Sequence, residues 1–117
     1  MTDNAIEAAK NFQGPAKERI WRLMEQVMDT GMATYDLAIW HWSQSDPTAH
    51  KIFMRVLQKR FSFAAWMLKE VGFDRIQAEV RGRMMVVYMM GESTLLPVEC
   101  DNPKELLELK FSILTDQ

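Results

Sequence analysis

The segment DRIQAEVRGRMMVVYMMG, residues 74–91, decides how this chain folds. Met84 to Met90 in isolation looks like a buried strand, because seven apolar or aromatic residues follow one another. Its flanks point to a helix. Asp74 and Gln77 stand three apart as a capping box, and Phe73 is placed to staple against Ala78. No turn residue separates that start from the apolar run except Gly82, and a lone glycine is tolerated inside a helix. The spacing predicts one long helix from there to about Met90, closing before Gly91.

The segments on either side are punctuated in the same way. Upstream, Asp46-Pro47 pairs a side chain that accepts orphan amide bonds with a residue whose φ is preset for the first helical turn. The helix it opens is expected to run to Val71, stopped by Gly72, with Phe53, Val56, Leu57, Ala64, Met67, Leu68 and Val71 on its apolar face. Downstream, Asn102-Pro103 with Glu105 repeats the start signal, and LLELKFSIL carries the last helix. Residues 92–101, with Pro97 and Cys100, are expected to form a loop. Nearer the N-terminus, Pro15 opens a helix with Ile20, Met24, Val27 and Met28 at helical period and Trp21 beside them, closed near Gly31. From Thr34 a shorter helix is apolar nearly all round, which predicts a central position. Residues 1–15 read as an arm or short helix, and residues 16–117 as one domain. The fold class is all-α, a helical bundle of about five main helices.

The last two helices are apolar on two sides. In the first of them, Ile76, Val80, Met84, Val87 and Gly91 form one row, and Ala78, Gly82, Met85 and Met89 another. In the second, Leu106, Leu109 and Ile113 form one row, and Leu107, Phe111 and Leu114 another. One row of each can cover the chain's own core, which leaves the other as a patch that monomers seldom expose. A two-fold axis lets such a patch cover its copy, so a homodimer is expected. Ala78, Gly82, Met85, Met89, Leu106, Leu109 and Ile113 are the candidate interface. Gly82 costs roughly 1 kcal/mol relative to Ala within a helix, which implies close backbone approach. That approach is either to a second copy or to a helix of the same subunit.

Composition narrows the function. The chain has 117 residues, 48% hydrophobic and 26% charged, which suits one folded domain and excludes an intrinsically disordered chain. Fourteen Lys and Arg against sixteen Asp and Glu give a net charge of -2, so nucleic-acid binding by this chain alone is disfavoured. The single cysteine, Cys100, forms no internal disulfide and builds no zinc spacing with His41 and His50. A reducing cytoplasm fits. The start, Met1-Thr2-Asp3-Asn4, has no secretory pattern, and no uncharged stretch approaches the roughly 20 residues of a membrane span.

No nucleophile elbow, dinucleotide fingerprint, phosphate loop or HExxH pattern is present, so neither an enzyme nor a resident cofactor or metal is expected. Ser45, Asp46 and His50 are close in sequence, but capping accounts for Asp46. Ten Met and four Trp are the compositional outliers. Trp21, Met24, Met28, Tyr35, Ile39, Trp40, His41, Phe53, Leu57, Arg60, Phe63, Trp66 and Met67 are the candidate lining of a cavity for a small apolar molecule, with Tyr35, His41 and Arg60 as polar handles. The same residues also suit a filled core, and both readings stand at this point.

In order along the chain, these motifs resemble the C-terminal domain of TetR-family transcriptional regulators. Tyr35-Asp36-Leu37-Ala38-Ile39-Trp40-His41-Trp42-Ser43 is similar to that family's "YDxAIxxWA" helix, and Ser45-Asp46-Pro47 to the turn after it. Lys59-Arg60-Phe61 is similar to a basic-basic-apolar run, and Gly72-Phe73-Asp74 with Ala78-Glu79 and Arg81 to "GFxxxxAExRA". The resemblance spans roughly residues 16–115. It implies an effector-binding domain that dimerises through its last two long helices, while a separate N-terminal helix-turn-helix module reads the operator. About fifteen residues precede the first matching helix, with Lys10 the only basic one. They are too few for that module, so DNA contact is expected only through a helix-turn-helix absent from this chain. A stand-alone helical dimer that binds a hydrophobic metabolite or a partner helix is the alternative expectation.

Overall fold

The computed structural model describes residue 7 and residues 10–30, 33–94 and 101–116, with side chains described over 7, 10–26, 38–91 and 101–116. Five α-helices follow one another: α1 (Ala16–Thr30), α2 (Ala33–Ser43), α3 (Pro47–Val71), α4 (Arg75–Thr94) and α5 (Pro103–Thr115). Among the described residues there is no strand, so the all-α bundle is the observed architecture.

The start signals act as their chemistry requires. Asp46 accepts from the amides of Thr48 at 2.8 Å and Ala49 at 3.2 Å, with Pro47 in the first turn of α3. Asp74 accepts from the amide of Gln77 at 2.8 Å. The reciprocal half of that capping box is not made, because the Gln77 side chain accepts instead from Arg81 Nε at 3.1 Å. Asn102 accepts from the amide of Glu105 at 3.1 Å and opens α5. Gly72 ends α3 at φ 124°, a conformation that L side chains rarely adopt. Its amide and that of Phe73 return to carbonyls of the last turn, Phe73 to Leu68 at 3.2 Å.

Two expected features differ. α4 continues through Gly91 to Thr94. A glycine in helical conformation lowers stability but breaks no hydrogen bond, and no left-handed cap follows Met90 to end the run. α3, and not α2, is the central helix, since it touches α1, α2 and α4. Among the described side chains of α2, Ala38, Trp40, His41 and Trp42 are exposed, Ile39 is half-buried, and Ser43 is buried with its hydroxyl donating to the Trp40 carbonyl at 2.6 Å. This eleven-residue helix packs on α3 and α4, and its described rings lie on the side left in solvent.

The core lies along the second half of α3. Ile20 and Met24 from α1, Phe63, Ala64, Met67 and Leu68 from α3, Ala78, Met85 and Val86 from α4, and Leu107 from α5 form one buried cluster. Trp21, Phe73, Met89, Phe111 and Leu114 pack around it, half-buried.

Candidate functional site: an exposed apolar face on the C-terminal helices

α4 divides cleanly into two rows. Ala78, Gly82, Met85 and Val86 are buried against the chain's own core, while Ile76, Val80, Met84 and Val87 are between 53% and 66% exposed. This reverses part of the expected interface. Ala78, Gly82 and Met85 face α3 of the same subunit and are not free to meet a second copy; Met89 is half-buried around the core. The cause is the small residues on both helices. A Cβ added at Gly82 would lie 3.0 Å from the Ala65 amide nitrogen and 3.2 Å from the carbonyl carbon and Cβ of Ala64. Backbone-to-backbone approach of this kind requires glycine on one side and alanine on the other.

On α5 the rows fall differently. Leu107 is buried, Phe111 and Leu114 are half-buried, and Leu106 is half-buried, whereas Leu109 and Ile113 are 58% and 63% exposed. Leu109 and Ile113 therefore keep the outward position expected of them. The two helices meet on this side. Arg81 Nη1 donates to the carbonyls of Ile113 and Leu114, each at 3.2 Å, and Lys110 Nζ lies 5.3 Å from the Tyr88 ring centroid. Ile76, Val80, Met84 and Val87 on α4 and Leu109 and Ile113 on α5 are thus exposed rows on two helices that these long side chains bridge.

Of the thirteen candidate pocket residues, eleven have described side chains, and these divide between the packed core and more exposed positions. A side chain lining a void wide enough for a ligand would present surface to a water-sized sphere, and Met24 and Met67 present none. With Phe63 they are core filling. Trp21 packs edge-on to Phe111, centroids 5.4 Å apart and planes at 76°. Trp66 stacks on Phe63 at 5.5 Å beneath the Arg19 guanidinium at 4.9 Å, but is itself exposed, as are Trp40 and His41. Ile39, Phe53, Leu57 and Arg60 remain half-buried along α2 and the first half of α3, outside the main cluster. The side chains of Met28 and Tyr35 lie outside those described.

Among the described residues no three His, Cys, Asp or Glu side chains are grouped to hold a metal, and no helix is long and apolar enough to cross a membrane. No family model matches the chain, and no curated protein or solved structure is significantly similar to it. Sequence reasoning identified both rows of α4 and missed which one turns inward. The signal was there, in Ala64-Ala65 opposite Gly82. It also left Arg81 without a role.

Proposed function

We propose that this chain is the dimerisation and ligand-sensing domain of a TetR-like transcriptional regulator, docking on a second copy through the outer rows of α4 and α5. One observation carries the reading: six apolar side chains on α4 and α5, helices that Arg81 and Lys110 link, are each more than half exposed. Patches above a few hundred Å² on a small domain mark interaction sites. A second copy suits these rows because a two-fold axis sets each apolar row against an apolar row of the same kind. The resemblance in the order of motifs points to the same two helices.

Ligand sensing, in this reading, belongs to the half-buried residues Ile39, Phe53, Leu57 and Arg60. They are apolar with one cationic group, accessible, and separate from the packed core. DNA contact belongs to a helix-turn-helix module joined to this domain. A ligand acts only through a difference in affinity between two helix arrangements. Sedimentation equilibrium tests the dimer. The chain should sediment at twice its 13.7 kDa mass, and a monomer at all concentrations rejects the reading. Titration of Trp fluorescence with small apolar compounds tests the ligand; a response abolished by Leu57→Glu is expected, and silence rejects that half.

A further inference from the structure

We infer that Arg81 is the positioning residue that sets α5 against α4 and so completes the face for the second copy, an inference that rests on the dimer reading above. α5 ends at Thr115, so the carbonyls of Ile113 and Leu114 belong to its last turn, whose acceptors lie outside the intrahelical ladder. Arg81 supplies the missing donor across 32 residues of sequence, with one Nη nitrogen 3.2 Å from both oxygens. A cation at that end is also favoured by the helix dipole.

The guanidinium is held before it reaches α5. Its Nε donates to Gln77 one turn earlier on α4, and its plane lies over the Phe73 ring, 4.3 Å from the centroid. Both supports belong to the start of α4, so Arg81 is a fixed fork on that helix. α5 is otherwise anchored by Leu107, Phe111, Leu114 and the buried Thr115 on its inward side, and by Lys110 Nζ, 5.3 Å from the Tyr88 ring centroid of α4. Arg81 is the described hydrogen-bond donor from α4 to the last turn of α5. The residue whose carbonyl it holds, Ile113, carries its side chain into the exposed face, and Val80 beside Arg81 belongs to the same face. The latch therefore fixes the relative height of the two apolar rows that the second copy must meet at once.

The test is a double-mutant cycle on the dimer dissociation constant, measured by sedimentation equilibrium for the wild-type chain, Arg81→Met, Ile113→Ala and the pair. Arg81→Met should weaken the dimer roughly tenfold, the worth of about one charge-assisted hydrogen bond. In the pair the two effects should fall short of multiplying, because a loosened α5 no longer presents Ile113. Effects that multiply, or an unchanged constant in Arg81→Met, overturn the latch while leaving the dimer intact. A monomeric wild type overturns the dimer reading itself. Should Arg81→Met fail to fold, Arg81→Lys keeps the charge without the planar fork. It should weaken the dimer severalfold, and wild-type affinity in that variant overturns the proposal.

Discussion

The two rows of α4 use the same apolar alphabet for opposite ends. Toward α3 the helix presents Ala78, Gly82, Met85 and Val86, small residues in the middle of close backbone contact with a methionine and a valine filling the sides. Away from the core it presents Ile76, Val80, Met84 and Val87, all at least half in water. Hydrophobicity alone does not separate the rows; side-chain size does. A row that must let two helices approach gives up volume, while a row that meets a partner across side chains keeps it.

Substitutions on either row sharpen this contrast. The largest effect belongs to Gly82→Leu, which drives a branched side chain into the Ala64–Ala65 backbone. It should cost at least about 3 kcal/mol and lower the melting temperature by more than about 10 °C. A folded variant with wild-type melting would show that α4 does not rest on α3 as described. Next, Met84→Glu on the outer row places two carboxylates in the proposed interface, one from each copy. The dissociation constant should rise about 100-fold, since each buried apolar side chain is worth about 1.5–3 kcal/mol. Its helical circular dichroism should stay native, and its melting temperature should lose the concentration dependence that the wild-type dimer shows. A concentration-dependent melt in that variant would count against the face.

The smallest effects come from two glycines of the one helix. Gly82→Ala gains helix propensity of about 1 kcal/mol but presses a Cβ onto main-chain atoms of a packed helix, so a net loss of about 1 kcal/mol is expected. Gly91 has nothing within 4 Å of an added Cβ, so Gly91→Ala should stabilise by about 0.5–1 kcal/mol. Denaturant midpoints compare the pair directly. Equal shifts of the same sign would erase the distinction between the two rows.

The helix starts could be read from sequence because they are local. Asp46, Asp74 and Asn102 each cap an amide two or three residues away, within reach of any side chain in that conformation. The row that turns inward was not local information. It depends on Ala64-Ala65 meeting Gly82, a match between positions some seventeen residues apart that periodicity within one helix does not record. α2 misled for a related reason. Its all-round apolarity suggests enclosure, yet its Trp40 and Trp42 stay exposed because enclosure needs neighbours on every side. The candidate pocket divided along similar lines: Met24, Phe63 and Met67 went to the core, and the residues of the first half of α3 did not.

The most direct measurement is sedimentation equilibrium of the wild-type chain beside Met84→Glu at matched concentrations. The account predicts a wild-type species of twice 13.7 kDa and a folded variant of 13.7 kDa. A wild-type chain that stays monomeric throughout, or a variant that dimerises as tightly as wild type, contradicts it.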